Sequence, residues 1–446
     1  MDPLGTVAAE RSLFLVVIRS AGKWAWRGAL IVLGLMALLW TGALLIGSYR
    51  LESKLEEFRK DPQYLNLLPR DWSKGGPGGN AAPYFSAAFA LLSWPDSRDV
   101  ALPINEVLAG RWDQLSESKR KAVADWVSQN EGAFNLARSG SERSWCRYYR
   151  SWDHAHSKPV PRSKPPEMGW IFTTEWMLIS RAWVQSSNGA HNDARETLRV
   201  ALAVADSLKD DPGLESQQTR LSAHVMVLGN LLKLVPAEST EADLDEWLKI
   251  VPQANHFDDS LDRAVRWETQ CLVELLSSPL GRFWAEWGDH IPRYRQYEKS
   301  LQRRLADPLV KWDGVRALDE LKEALRISRL PFAEGSEAAA RMMSTKRSAG
   351  WNPVRANFVT SPLLLIEYLQ TVRAQCVVLR TGIDWEKIRL KTGIYPDTCA
   401  AADPISGAPL RIEKDPPRLS SAPGRQHVIG MGWRIGESPA WVLRGK

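Results

Sequence analysis

The feature that most constrains this chain is a run of twenty residues without a charged side chain, Gly28 to Gly47. In a helix, twenty residues extend about 30 Å, the thickness of the hydrocarbon core of a bilayer. The long remainder of the chain carries charged residues throughout. The sequence therefore predicts one N-terminal transmembrane helix, residues 28–47, that holds a globular body at a membrane.

Two alternatives compete with this interpretation of the apolar run. A secretory signal peptide has a shorter apolar region, of about 7–15 residues, and a cleavage site of small residues. This run is longer and continues as Leu-Leu-Ile-Gly-Ser-Tyr-Arg, which lacks such a site. A buried globular helix rarely has so long an uncharged sequence. An uncleaved signal-anchor is therefore the favoured interpretation.

The orientation of the anchor depends on the basic residues that flank it. Four basic residues precede the apolar run and four follow it closely, so the positive-inside rule discriminates weakly. Lys23 and Arg27 lie nearest the membrane and favour a cytoplasmic N-terminus. We expect a single-pass protein of the inner membrane with its body on the periplasmic or extracytoplasmic side. Residues 13–18 are equally compatible with an interfacial helix and with a helical extension of the anchor.

Composition limits the classes of protein to which the body belongs. The chain has 446 residues, of which 25% are charged and 44% hydrophobic, as in ordinary globular proteins. A net charge of +6 is mild for this length and gives no case for nucleic-acid binding. The chain is rich in tryptophan, with 21 residues, and packing in cores and interfaces is the favoured role for them.

The four cysteines lie far apart at Cys146, Cys271, Cys376 and Cys399. No C-x-x-C pair occurs, which argues against zinc-ribbon and thioredoxin-like sites. In an exported body they could form one or two disulfides, and full pairing has three arrangements. Cys376 falls on an apolar stripe of helical period, which favours a buried thiol at that position.

The pattern along the chain predicts a mainly α-helical protein with five successive regions. They are an N-terminal tail (1–27), the transmembrane helix (28–47), a stalk and flexible linker (48–82), an α-helical body (83–345), and a long helix with a small β-hairpin module (350–446). Clear strand-like alternation is absent from the body, so we expect a helical array there. Its predicted helices include one that Ser116 caps and that continues through Arg138, and others near 241–251, 258–276, 297–306 and 315–328.

Residues 170–208 predict the best-defined helical hairpin of the body. Leu178 and Ala182 lie on its first helix, Gly189 in the turn, and Leu198 and Ala201 on its second helix. Small residues at these positions allow two antiparallel helices to approach closely. The spacing resembles one hairpin of the tetratricopeptide type, a family of partner-binding scaffolds, although the chain has no second copy at that period.

The last hundred residues have a different pattern. Ser361 and Pro362 are typical of an N-cap and a first-turn proline, and they open a long helix. Short strand-like segments follow around 410–413 and 426–433, separated by turn residues. These features predict a small hairpin packed on the long helix.

This C-terminal pattern resembles two groups of proteins. A helix, then Tyr395-Pro396, then the sequence DPISGAPL at 403–410 is similar to the C-terminal part of type II secretion major pseudopilins, over about residues 360–435. The anchored helical architecture, with Asn80-Ala-Ala-Pro-Tyr84, resembles a group of uncharacterised membrane-anchored bacterial proteins from planctomycete-like genomes. That group implies an architecture but no activity.

The chain departs from the pseudopilin pattern at two places. The residues before the anchor, KWAWRGAL at 23–30, lack the site that prepilin peptidase requires. The final loop, GMGWRIGESP at 430–439, lacks the aspartates that suit calcium in the resembling proteins. We therefore expect neither a cofactor nor assembly into a filament.

The densest set of metal-type ligands in the sequence is Asp153, His154 and His156. Two histidines two residues apart could hold a metal if a third ligand came from elsewhere, but a solvated polar loop is the favoured interpretation. The remaining histidines are scattered. The acidic residues after His256 open a helix, where they complement the helix dipole, and this structural role is preferred to catalysis or metal binding.

The sequence contains no phosphate-binding glycine loop, nucleophile elbow or H-E-x-x-H motif. The favoured hypothesis is therefore a non-catalytic, membrane-tethered scaffold that binds another protein of the bacterial envelope. Two alternatives stay open. One is an envelope hydrolase whose site is assembled from residues distant in sequence, and the other is an accessory of a secretion or pilus-like machine.

Overall fold

The computed structural model describes residues 3–61, 79–93, 98–148, 167–277, 300–330, 360–414 and 417–421, with shorter stretches between 334 and 342 and between 427 and 442. The fold is mainly α-helical, as predicted. Its principal helices are α1 (Pro3–Lys60), α2 (Ala82–Leu91), α3 (Arg98–Leu108), α4 (Glu117–Gln129), α5 (Glu131–Ser141), α6 (Glu167–Ser187), α7 (His191–Asp206), α8 (Leu214–Leu234), α9 (Glu241–Ile250), α10 (Asp258–Ser277), α11 (Ser300–Ser328) and α12 (Thr360–Thr392).

The chain divides into two compact units, each discontinuous in sequence. The first contains Met1–Lys60 and Leu275–Arg316, and the second contains Asp61–Glu274 and Ala317–Lys446. We call them the anchor unit and the main unit.

The anchor unit is built on α1, which is one continuous helix of 58 residues. Its segment Trp24–Lys60 has the length and composition to cross a membrane, and its apolar side chains are exposed, with Leu38 at 70% and Leu39 at 75%. Near its C-terminal end, Leu51, Leu55 and Phe58 are buried instead. The chain thus has one exposed N-terminal apolar helix of the kind that serves as a signal-anchor or a signal sequence.

Trp312 of α11 packs directly on α1. Its indole Nε1 donates a hydrogen bond to the carbonyl of Ala43 at 3.2 Å, and the Arg50 guanidinium lies 4.9 Å from the ring centre. A Cβ on Gly47 would lie 3.0 Å from the same Nε1, so a small residue is needed there for the ring to approach. Lys311 donates to the Ser48 hydroxyl at 2.7 Å. Small residues of the anchor therefore form a contact with another helix of the same chain.

In the main unit, the predicted hairpin at 170–208 is formed by α6 and α7. Gly189 occupies the turn with φ of 78°, a left-handed conformation that glycine adopts without strain. Leu178, Ala182 and Leu198 are completely buried between the helices and their neighbours. Helix α8 packs against both helices of the hairpin.

Three predicted helices differ from the structure in where they begin or end. Ser116 is the N-cap of α4, where its hydroxyl accepts from the backbone N–H of Lys119. The predicted helix through Arg138 is interrupted at Asn130, whose side chain bonds the Ser93 backbone and separates α4 from α5. Conversely, the described part of the segment predicted near 297–306 and the segment predicted near 315–328 belong to the single helix α11, with Pro308 inside it.

The C-terminal module contains the long helix α12, as predicted. Its described residues form five short strands and not the single hairpin that the sequence predicts. Strands β1 (Arg411–Lys414), β2 (Pro417–Ser420) and β5 (Ala440–Val442) form an antiparallel sheet in the order β1-β2-β5. Strands β3 (His427–Ile429) and β4 (Trp433–Ile435) pair separately. Trp441 of β5 lies against Gly382 of α12, where a Cβ would come within 2.4 Å of the ring. This contact holds the sheet on the long helix.

All four cysteines fall within the described residues, and no disulfide joins them. Cys271, Cys376 and Cys399 are buried, and Cys146 is partly exposed. Burial raises the pKa of the Cys376 thiol to about 12, so this thiol is protonated and inert at neutral pH. The prediction of a buried thiol at Cys376 is confirmed.

Candidate functional site

The main unit brings together three metal-type side chains that lie far apart in sequence. Asp206 is the last residue of α7, His224 lies within α8, and His256 lies in a short 3-10 turn (Ala254–Phe257) that leads into α10. One ligand atom from each side chain can be chosen so that all three lie within 4.8 Å of one another. We call these three residues the Asp206 cluster.

The Asp206 carboxylate is the centre of the cluster. Its Oδ2 lies 2.9 Å from Nε2 of His256, and its Oδ1 lies 2.9 Å from Nε of Arg220 and 3.5 Å from Nε2 of His224. Both oxygens therefore face nitrogen atoms of other elements. The carboxylate connects the C-terminal end of α7 to α8 and to the 3-10 turn.

The tautomer of His224 follows from its surroundings. Its Nδ1 lies 2.9 Å from the backbone carbonyl of Arg220, one helical turn earlier. A carbonyl can only accept, so Nδ1 carries a proton and donates it. His224 is completely buried, and its Nε2 has no hydrogen-bond partner among the described residues. This nitrogen faces the Asp206 carboxylate.

Arg220 is the buried basic residue that pairs with Asp206 in the cluster. The side chain is fully buried; its Nη1 donates to the Ser260 hydroxyl at 3.0 Å and its guanidinium lies 5.3 Å from the Phe257 ring centre. The Phe257 ring meets the rings of His224 and His256 edge-on, at centre distances of 4.9 Å and 5.0 Å. Aromatic packing therefore fixes both imidazole planes.

The ionisation of Asp206 is set by two opposing effects. Burial acts to raise the pKa of its carboxyl group, because a low-dielectric environment disfavours the charged form. Three neighbours act against burial and hold the pKa of Asp206 well below its usual range. They act through the electrostatic attraction of His224, the hydrogen bond with His256 and the charge of Arg220. The carboxylate is thus ionised at neutral pH.

The cluster is open to solvent on one side. About 29% of the Asp206 side chain and 28% of the His256 side chain are exposed, whereas His224 and Arg220 are fully buried. Two imidazoles and a carboxylate are a donor set that transition metals such as zinc accept, and a carboxylate–imidazole pair also orients a general base. The geometry thus offers the chemistry of either a metal site or a proton-transfer site.

A second buried carboxylate lies on α6 and has a different environment. Glu175 is completely buried, and neither of its carboxylate oxygens has a side-chain hydrogen-bond partner among the described residues. Burial raises the pKa of Glu175 well above its ordinary value, and the backbone of Ala205 offsets part of that rise. Glu175 is therefore a candidate for a neutral carboxylic acid.

Of the two segments that the sequence singled out as possible sites, the structure describes only the one at 256–259. Asp153, His154 and His156 lie outside the described residues. In the segment at 256–259, Asp258 pairs with Arg373, Asp259 pairs with Arg263, and His256 belongs to the Asp206 cluster.

Sequence reasoning identified neither Asp206 nor His224 as a partner of His256. The spacing of four between Arg220 and His224 places both on one face of α8, and this is the one local signal of the cluster. It could not have revealed Asp206, which lies on another helix.

No protein-family model, curated protein or solved structure matches the chain. The resemblances to pseudopilins and to the planctomycete-like group therefore stay predictions.

Proposed function

We propose that the protein is a membrane-tethered helical scaffold that binds another protein of the bacterial envelope. One observation carries the proposal. A single uninterrupted helix, α1, has exposed apolar side chains over its membrane-length part and buried ones at its C-terminal end. A helix with these two surfaces fits a tether that is embedded in lipid at one end and packed in protein at the other.

We further propose that the tether is an uncleaved anchor in the inner membrane, with the body on the extracytoplasmic side. The basic residues Lys23 and Arg27 next to the apolar segment support this orientation. The absence of a recognisable catalytic motif in the sequence and the α6–α7 hairpin support a binding role for the body.

Fractionation tests the tether. Replacement of exposed Leu35 and Leu38 by arginine places two charges at the centre of the apolar segment, each of which costs about 3 kcal/mol on insertion. The wild-type protein should stay in membranes after an alkaline carbonate wash, and the double-arginine variant should not. The matched control replaces the same two leucines by alanine and should stay with the membrane. Equal behaviour of all three proteins would contradict an anchor.

Protease accessibility tests the orientation. In spheroplasts, protease added from outside should degrade the body and leave a short fragment containing the anchor. Full protection of residues 48–446 would place the body in the cytoplasm.

Cross-linking in native membranes, followed by mass spectrometry, tests the scaffold. We expect one envelope protein to be recovered reproducibly with the full-length chain and to be lost with the double-arginine variant. Recovery of no reproducible partner would contradict the scaffold proposal.

A second candidate function, an envelope hydrolase, is favoured by the Asp206 cluster. Hydrolysis of peptidoglycan or cell-envelope polysaccharide by the purified protein would support it if His256→Gln abolished the activity and His191→Gln did not. Absence of hydrolysis with both substrates would argue against this candidate.

A further inference from the structure

We propose that Asp206, His224 and His256 bind one divalent transition-metal ion of the zinc type. The inference concerns the main unit alone and is independent of the scaffold and hydrolase proposals, because its readout is binding and not activity. It rests on the relative positions of three side chains and on the tautomer of one of them.

The first step concerns the gap between His224 and Asp206. The Nδ1 of His224 donates to the Arg220 carbonyl, so Nε2 is the ring nitrogen that faces Oδ1 of Asp206, at 3.5 Å. An imidazole nitrogen and a carboxylate oxygen are both ligand atoms that zinc accepts. Two donors at 2.0–2.1 Å from a tetrahedral zinc ion lie about 3.4 Å apart, which agrees with the observed gap.

The second step adds His256. Its Nε2 lies 2.9 Å from Oδ2 of Asp206, so the carboxylate lies beside both imidazole nitrogens. This Nε2 binds a metal through its lone pair when the ring proton is on Nδ1. The Nε2 position next to the carboxylate is then available to the metal.

The third step concerns Arg220, a cation beside the same carboxylate. Each carboxylate oxygen offers two lone-pair sites, so the bond from Arg220 Nε leaves acceptor capacity on Oδ1. Arg220 fixes the orientation of the Asp206 carboxylate, as outer hydrogen-bond partners do in metal sites. Its charge also weakens the attraction for any cation, so we expect a lower affinity than at a site with two carboxylates.

The donor set determines which metals fit. Two imidazole nitrogens suit zinc, copper, nickel or iron, whereas calcium and magnesium require oxygen ligands. Three protein ligands leave a coordination position for water on the side where Asp206 and His256 are exposed. Open positions of this kind are typical of catalytic zinc sites and not of structural ones.

The test is a zinc titration of the full-length protein in detergent after removal of metals, in competition with a chromophoric chelator. We expect about one equivalent to bind, because the cluster offers one set of three ligands. His256→Gln and His224→Gln should each lower the affinity at least tenfold. His191→Gln, a partly exposed histidine paired with Glu238, is the matched control and should bind zinc as the wild type does.

The comparison between variants decides the result. Unchanged zinc binding in both His224→Gln and His256→Gln would overturn the proposal, and so would failure of the wild type to bind zinc. Because His224 is buried, its variant is assessed only if its circular dichroism spectrum matches that of the wild type. Should it unfold, His256→Gln, at a partly exposed position, decides alone. Replacement of zinc by cobalt should give visible d–d absorption in the wild type and in His191→Gln only.

Discussion

The main unit contains two carboxylates with opposite environments. Asp206 lies among Arg220, His224 and His256, and its pKa is held well below the usual range. Glu175 is more deeply buried and has no charged side chain paired with it among the described residues, and its pKa is raised well above the usual value. The difference shows that the groups facing a carboxylate, and not burial alone, decide whether it is ionised in the folded protein.

The largest effect should come from removing the charge of Asp206. In Asp206→Asn, the fully buried Arg220 guanidinium loses its counter-charge, and we expect the free energy of unfolding to fall by about 3 kcal/mol. Denaturant titration of the metal-free protein measures this loss. A variant as stable as the wild type would show that Arg220 does not need the charge of Asp206, and it would contradict the contrast between Asp206 and Glu175.

The next effect is the pH dependence that Glu175 contributes. Because its pKa is higher in the folded state than in the unfolded state, its contribution to stability is present below the unfolded pKa, about 4.5, and is lost as pH rises towards the folded pKa. In this window, the contribution changes by up to about 1.4 kcal/mol per pH unit.

Glu175→Gln isolates this contribution, because it removes the ionisation and keeps the shape of the side chain. The measurement is the free energy of unfolding at several pH values above 4.5 for both proteins. The wild type should lose stability relative to the variant as pH increases. Parallel curves would mean that Glu175 titrates as an exposed glutamate does.

A smaller effect is expected from Glu175→Met at neutral pH. Methionine has a similar length and removes a buried polar group that lacks side-chain partners, so we expect stabilisation by about 1 kcal/mol. Thermal melting detects the change. Destabilisation of similar size would indicate that Glu175 makes an interaction essential to the fold.

The smallest effect is expected at an exposed carboxylate. Asp245 of α9 pairs with Lys387 of α12, and the hydrogen bond from Lys387 lowers the pKa of Asp245. Exposed ion pairs contribute little, because water and salt screen them. Asp245→Asn should therefore leave the unfolding midpoint nearly unchanged. A loss of stability as large as that of Asp206→Asn would contradict the expectation that exposure to solvent makes the contribution of Asp245 small.

The sequence predicts much of this fold because local signals determine helices. Each of the successful predictions used a signal that extends over neighbouring positions in the sequence. These signals are the uncharged run at 28–47, the small residues of the α6–α7 hairpin and the turn at Gly189. The break at Asn130 was missed, because it depends on bonds between its side chain and the backbone of Ser93, 37 residues earlier. The third strand of the sheet was also missed, because β5 is short and pairs with β2 across more than twenty residues.

The candidate site was beyond the reach of sequence patterns for a similar reason. The sequence singled out the segment at His256 because acidic residues follow it. The partners of His256, Asp206 and His224, lie on two other helices. Which of seven histidines meet depends on how α7, α8 and the 3-10 turn pack. By contrast, Cys376 was correctly assigned to the core, because its apolar stripe lies on a single helix.

The most direct test of the account is zinc-edge X-ray absorption of the full-length protein loaded with one equivalent of zinc. The account predicts a first shell of nitrogen and oxygen donors with the scattering of two imidazole rings, reduced to one ring in His256→Gln. Glu175→Gln, which changes the other buried carboxylate, should leave the spectrum unchanged. A shell without imidazole scattering, or one that His256→Gln does not alter, would contradict the assignment of the Asp206 cluster as a metal site.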